Sequence, residues 1–177
     1  MTPARALAYI IIGTLTATAL PFAPPAHAEP QLPDLDRYTT VKTSDYTVPI
    51  PTTGYNGAVS SVQFSTPAGQ NCSIVINVRG MSDVATCTGP IPGNNHNSVA
   101  ASYREPGRFA DSPPNTRQTK LLPAGSKVIF TRAIWTGTCA VDQAMTTCVV
   151  DTVPNSGEAA TNTSHGFILG PDNSSTF

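Results

Sequence analysis

The stretch VQFSTPAGQNCSIVINVRGMSDVATC, residues 62–87, decides the fold of this chain. The β-branched run SIVINV that follows its first cysteine is typical of a strand on a half-buried sheet surface. Cys72 and Cys87 are equidistant from a centre between Arg79 and Gly80. Cysteines on adjacent antiparallel strands can be bridged only when they lie opposite one another. The pattern therefore predicts a hairpin with a two-residue loop and a disulfide between its strands.

A second pair of cysteines repeats this pattern in shorter form. Cys139 and Cys148 are equidistant from a centre between Gln143 and Ala144, which predicts another hairpin with an even loop. Four cysteines allow three connectivities, and we predict the two hairpin pairs because both have this symmetry. The spacing contains no CxxC pair, and His96 and His165 lie in separate stretches, so we expect no metal site. We expect no cofactor either.

The first 28 residues have the features of a signal peptide. Arg5 gives a positive start, residues 6–20 are apolar, and AHA at 26–28 is a small-x-small cleavage site. A membrane anchor is the alternative, but the apolar run is shorter than the roughly 20 residues that a spanning helix needs. We expect cleavage after Ala28, a mature chain of 177 − 28 = 149 residues, and a secreted or envelope-associated protein whose even cysteine count favours disulfides.

Charge and size narrow the classes of function. The chain has 10 Lys+Arg against 11 Asp+Glu, and its 12% of charged residues is about half the usual share. Such a balance attracts neither nucleic acid nor anionic lipid over long range. We therefore expect no nucleic-acid partner and no membrane insertion after signal cleavage. The mature length suits one domain with a real core.

Short β-branched runs alternate with turn-forming clusters throughout the mature chain, and helical periodicity is missing. This predicts a mostly β protein, a small disulfide-stapled antiparallel sheet, sandwich or barrel-like, with long irregular loops. We expect a flexible arm at 29–45, one β domain at 46–170 and a polar tail at 171–177. Besides the two hairpins, strands are predicted at 46–51 on a sheet edge, 99–103, 126–135 with Trp135 in the core, and 165–169.

No nucleophile elbow, phosphate loop, zinc helix or dinucleotide-binding glycine pattern is present in the sequence. His96 and His165 could each act as a base for a serine, with an aspartate as orienting group, but such sets occur by chance in most chains. His165 is the better candidate because it precedes Gly166, which allows close backbone approach. The alternative to a catalytic role is that the His165 ring only forms a hydrogen bond with a neighbouring backbone group.

Several short motifs, taken in order, resemble those of a group of small exported actinobacterial, chiefly mycobacterial, proteins of uncharacterised function. They are FSTPAGQNC (64–72), ATC (85–87), LPAG (122–125), Cys139 with TC (147–148), and HGFIL (165–169). The resemblance implies a bacterial source and an extracytoplasmic address. It carries no catalytic residues, and the segment between Gly89 and Lys120 departs from the pattern.

Two functions remain open at this stage: a non-catalytic extracytoplasmic binding or structural module, which we favour, and a secreted hydrolase with dispersed catalytic residues. Irregular segments between strands are where such scaffolds place recognition, so the expected contact surface is 94–120, which also has a local excess of positive charge. The candidate binding residues are His96, Tyr103, Arg104, Arg108, Phe109 and His165. The partner would be an envelope glycan, an acidic polymer or another exported protein, and the oligomeric state stays open.

Overall fold

A computed structural model describes residues 33–50, 59–76, 84–113, 119–132, 134–152 and 164–177. These residues belong to one compact unit, Leu32–Phe177. Its strands are β1 (Thr39–Thr40), β2 (Thr47–Ile50), β3 (Val59–Ser65), β4 (Asn71–Val75), β5 (Val84–Thr88), β6 (Ser98–Ser102), β7 (Arg108–Ala110), β8 (Ser126–Arg132), β9 (Trp135–Val141), β10 (Thr146–Thr152), β11 (His165–Leu169) and β12 (Ser174–Thr176). A 3-10 helical turn, Thr43–Asp45, lies between β1 and β2.

The strands form two sheets, as the mostly β prediction requires. The first sheet has the order β2-β3-β4-β5-β6-β7, and the second has the order β1-β8-β9-β10-β11-β12. All neighbouring pairs are antiparallel except β1 and β8, which are parallel. Within the described residues the two sheets remain separate rather than closing into a barrel. Of the predicted arrangements, the sandwich is therefore the one that forms.

The core lies between the two sheets, because alternate residues of each strand point inward. Strands β4 and β5 show this alternation directly, with buried residues at every second position. Inward side chains of both sheets share one cluster that includes Phe64, Ile74, Val128 and Phe167. All four cysteines also belong to this cluster, so both disulfides are buried in it.

Both predicted hairpins have the register that the sequence symmetry requires. Cys72 lies opposite Cys87 across β4 and β5, and Cys139 lies opposite Cys148 across β9 and β10. Disulfides join these two pairs, which confirms the predicted connectivity. The loop of the first hairpin falls at 77–83, outside the described residues. The second loop is even, as expected, and the N–H of Asp142 donates to the Met145 carbonyl across it at 2.7 Å.

Three of the other four predicted strands keep nearly the expected bounds, among them β6 at 98–102 against the expected 99–103, and one does not. Strand β2 lies on a sheet edge, as its proline requires, and β11 has the predicted bounds. The single strand expected at 126–135 is wrong, because β8 ends at Arg132 and Trp135 begins β9, directly opposite it. No glycine or proline marks this reversal, so the apolar run reads as continuous. Trp135 is partly buried and packs against the core.

The expected arm and tail both prove to be parts of the sandwich where they are described. Thr39–Thr40 pairs with β8, and the Thr43 hydroxyl donates to the Ile129 carbonyl at 2.7 Å. The tail contains β12, which pairs with β11. Polar residues suit an edge strand that faces water on one side, so polarity alone could not separate a tail from an edge. The predicted signal peptide and residues 29–32 lie outside the described residues.

The described residues contain no helix that is long and apolar enough to cross a membrane. The segment 104–120, expected to be irregular, includes the short edge strand β7. The turn between β6 and β7 lines a concave surface on the first sheet.

Candidate functional site

A groove of about 330 Å³ lies on the first sheet beside the turn that connects β6 and β7. We name it the β6–β7 groove. Its lining residues are Val84, Ala100, Ala101, Ser102, Tyr103, Arg104, Glu105, Pro106 and Arg108. Three of the six candidate binding residues, Tyr103, Arg104 and Arg108, are therefore brought together here.

The turn that bears these side chains is held by Ser102. The Ser102 hydroxyl accepts the backbone N–H groups of Arg104 at 3.3 Å and Glu105 at 3.1 Å. Its own N–H donates to the Glu105 carbonyl at 3.3 Å. Serine side chains commonly stabilise turns in this way. The first residues of the turn, which carry the aromatic ring and the guanidinium, are thus fixed locally.

The end of the turn is fixed by Gly107, which is buried against the second sheet. Its N–H donates to the Phe177 carbonyl at 3.3 Å. A Cβ at this position would lie 2.5 Å from the Gly166 carbonyl oxygen and 2.8 Å from the Thr176 Cβ. Only glycine fits this close approach. The groove therefore depends on both sheets, although its lining residues lie on the first.

Small side chains form the floor of the groove. Val84 lies opposite Ser102 across β5 and β6, and Ala100 lies opposite Arg108 across β6 and β7. Because side chains directly opposite one another on a sheet are close neighbours, the Arg108 stem stands beside the small Ala100 side chain. This contrast in size leaves the concave space.

Two arginines and one glutamate charge the groove. Arg104 Nε donates to the Tyr103 hydroxyl, and its Cζ lies 5.1 Å from the centre of the Tyr103 ring. Arg108 Nη2 lies 3.3 Å from Glu105 Oε2, and both side chains are mostly exposed. An exposed ion pair of this kind contributes little stability. Two positive charges against one negative charge leave the groove at +1, on a chain whose net charge is −1.

Tyr103, which lines the groove, forms an aromatic pair with Trp135. The Tyr103 and Trp135 ring centres lie 5.4 Å apart at an interplanar angle of 46°. Tyr103 directly follows β6 of the first sheet and Trp135 begins β9 of the second, so the pair joins the end of β6 to the second sheet. Trp135 Nε1 is buried and has no hydrogen-bond partner. Both rings also pack against the main core.

The other three candidate binding residues lie elsewhere. His96 is exposed in the connection before β6, at the opposite end of that strand from Tyr103, and its Nδ1 lies 3.3 Å from Asp111 Oδ1. Phe109 faces inward and packs against the core. His165 begins β11 in the second sheet and is only partly exposed. The β6–β7 groove includes none of the three.

His96 and His165 do not assemble a catalytic set in the part of the chain that is described. His96 has an aspartate partner, but no serine hydroxyl among those residues is hydrogen-bonded to either ring. The same residues contain no group of three or more His, Cys, Asp or Glu side chains that could hold a metal ion.

A second polar cluster lies at the β9–β10 turn. The Tyr38 hydroxyl donates to Asp142 Oδ2 at 2.7 Å, and Arg37 Nη2 donates to the same oxygen at 3.1 Å. Burial raises the pKa of Tyr38, and the hydrogen bond from Arg37 opposes this rise. The hydrogen bond to Tyr38 is the main cause that raises the pKa of Arg37. The cluster fastens the N-terminal segment to the second sheet, so its role is structural.

Sequence reasoning missed Ser102, Glu105 and the groove floor. Ser102 followed by Glu105 is a weak local turn signal, while Val84 and Ala100 reach the site only through strand pairing. No family model, no curated protein and no solved structure matches the chain. The chemistry of the groove is therefore the basis for a function.

Proposed function

We propose that this chain is an extracytoplasmic binding module whose contact surface is the β6–β7 groove. The observation that carries the proposal is the placement of Tyr103, Arg104 and Arg108 around one concave surface on a disulfide-bonded sandwich. Concave surfaces with an apolar floor and a few convergent polar groups are the usual form of a ligand site. Because β5, β6 and the hydrogen-bonded turn after β6 support the groove, its backbone is held in place before a ligand arrives.

The address outside the cytoplasm has separate support. The chain carries two disulfides, and such bonds persist in oxidising compartments. The predicted signal peptide gives a route of export. The resemblance to exported actinobacterial proteins suggests that a partner would be found in a bacterial cell envelope.

Retention on isolated actinobacterial envelopes tests this function. The double variant Arg104→Gln/Arg108→Gln removes both cations of the groove. The matched control, Arg37→Gln/Lys42→Gln, makes the same change in net charge on exposed residues elsewhere. We expect the groove variant to lose about nine-tenths of its retention, which corresponds to about 1.4 kcal/mol. Equal retention of the groove variant and the control would contradict the proposal.

A secreted hydrolase is the second candidate, and the observation in its favour is the His96–Asp111 contact. A histidine beside an aspartate is two-thirds of a nucleophile-activating set. A broad serine-hydrolase probe tests this alternative. Labelling that is lost in His96→Ala or His165→Ala would support a hydrolase and contradict the module.

A further inference from the structure

The Arg104 guanidinium is oriented without being neutralised. Its Nε is engaged by the Tyr103 hydroxyl and its plane lies near the Tyr103 ring. Within the described residues, no ion pair involves Arg104. A planar guanidinium presents two parallel N–H donors that match the two oxygens of a carboxylate. Because the tyrosine already restricts the side chain, less freedom is lost when an anion binds.

The neighbouring charges suit a ligand that also has hydroxyl groups. Glu105 is an acceptor at the groove, and its exposed contact with Arg108 is readily exchanged for contacts with a ligand. A carboxylate accepts hydrogen bonds from hydroxyls. Glu105 also repels a second carboxylate placed beside the first. A ligand with isolated carboxylates separated by neutral hydroxylated units therefore fits better than a run of acidic side chains in a peptide.

The size and surface of the groove indicate a ring. Its volume of about 330 Å³ is near the lower end of the range of about 300–1,000 Å³ for small-molecule sites. Val84 and Ala100 give the groove an apolar floor, and Tyr103 adds an aromatic ring to its lining. Sugar rings have an apolar face and a hydroxylated edge, so one ring can contact the floor while its edge meets the charged groups.

We infer that the β6–β7 groove binds a carboxylate-bearing saccharide, with the carboxylate held by Arg104 and a sugar hydroxyl donating to Glu105. This inference rests on the proposed binding function and adds the chemical class of the ligand. Arg104 is the residue that selects for the carboxylate, while the floor and Tyr103 contact the ring irrespective of charge.

Two matched oligosaccharides test the inference by calorimetric titration of the disulfide-bonded protein. One is a hyaluronan tetrasaccharide, in which glucuronate alternates with N-acetylglucosamine. The other is the same tetrasaccharide after its carboxyl groups have been reduced to hydroxymethyl groups. We expect the native probe to bind about tenfold more tightly, since charge-assisted hydrogen bonds are the strong ones. We also expect this preference to weaken as salt is added.

Two single variants test whether Arg104 causes the preference for the native tetrasaccharide. Arg104→Gln should bind the two probes equally, and Arg37→Gln, which also removes one guanidinium, should keep the tenfold difference. Equal binding of both probes by the wild type, or binding of neither, would overturn the inference. So would a preference that survives in Arg104→Gln.

An acidic octapeptide serves as the third ligand in the same titration. Tighter binding of the peptide than of the native tetrasaccharide would overturn the saccharide assignment. Envelope retention that depends on Arg104 and Arg108 would still stand in each of these cases. Failure of the inference is therefore distinguishable from failure of the proposed function.

Discussion

Replacing Gln70 with methionine should destabilise the sandwich by about 3 kcal/mol. Gln70 is only 1% exposed and lies at the turn between β3 and β4. Its Oε1 accepts from the Thr66 hydroxyl and, at 3.0 Å, from the Thr146 hydroxyl on the second sheet. Its Nε2 donates to the Pro90 carbonyl at 2.9 Å. One side chain thus connects two loops of the first sheet with the start of β10.

The magnitude follows from the groups that lose a partner. Methionine has nearly the shape of glutamine but offers only a weak sulfur acceptor, so the O–H groups of two buried residues, Thr66 and Thr146, lose the oxygen to which they donate. The Thr66 oxygen still accepts the backbone N–H of residue 70 at 3.1 Å. Each O–H group that loses its acceptor costs about 1–3 kcal/mol. The Pro90 carbonyl lies on an exposed residue and can turn to water, so it adds little. Burying a thioether instead of an amide offsets part of the total, which leaves about 3 kcal/mol.

Urea unfolding with the disulfides intact measures this loss from the shift of the midpoint at constant slope. Gln143→Met is the matched control, because Gln143 is exposed in the β9–β10 turn, and its change should stay within about 0.5 kcal/mol. The double variant Gln70→Met/Thr146→Val should recover at least about 1 kcal/mol, since the orphaned hydroxyl is removed. A loss for Gln70→Met no larger than the control's, or a double variant less stable than the single, would refute the reasoning.

Three further outcomes are expected. Replacing both cysteines of a disulfide by alanine should lower the free energy of unfolding by about 3 kcal/mol for Cys72–Cys87 (separation 15) and by about 2.6 kcal/mol for Cys139–Cys148 (separation 9), before any cavity is counted. A loss under about 1 kcal/mol in urea unfolding would contradict this. Gly107→Ala should cost about 2–3 kcal/mol, because its Cβ would collide with the Gly166 carbonyl. Gly125 has a φ of +77° and open space where a Cβ would lie, so Gly125→Ala should lower the free energy of unfolding by only about 1 kcal/mol in the same assay. Tyr38→Phe should cost about 1 kcal/mol at pH 7, through the lost hydrogen bond to Asp142. Burial raises the pKa of Tyr38 above its usual 10.0. The stability that the protonated Tyr38 contributes is therefore complete below pH 10 and is lost as the pH rises through the pKa of Tyr38 in the folded protein. Above pH 10, the free energy of unfolding of Tyr38→Phe, measured with urea at each pH, should therefore fall less steeply with pH than that of the wild type. The same pH dependence in both proteins would show that the pKa of Tyr38 is not raised by folding.

The parts of the fold that could be predicted are those decided by short-range pattern. The two disulfides follow from cysteines placed symmetrically about a turn, because a hairpin brings residues together in an order that the sequence itself displays. The edge position of β2 follows from Pro49, which has no N–H to donate to a further strand. The mostly β class follows from β-branched runs between turn signals. None of these predictions requires knowing which distant segment packs where.

The candidate site could be predicted only in part. Arg104 and Arg108 are close in sequence, so a local excess of positive charge was visible. Phe109 belongs to the same stretch but faces inward, since alternate residues of a strand point to opposite faces and the short strand β7 was not expected. The groove floor comes from β5, and its place beside β6 is set by sheet order.

Only the tertiary structure decided the contacts between segments far apart in the chain. It placed Tyr103 against Trp135 and Gln70 against Thr146, and each of these pairs joins the two sheets. It also made edge strands of the segments at both ends of the domain. The polar residues of those segments are equally compatible with a tail in water and with a strand that has one paired side. Which of these forms depends on whether a neighbouring strand offers unpaired backbone groups, and that is a property of the assembled sheet rather than of any local stretch.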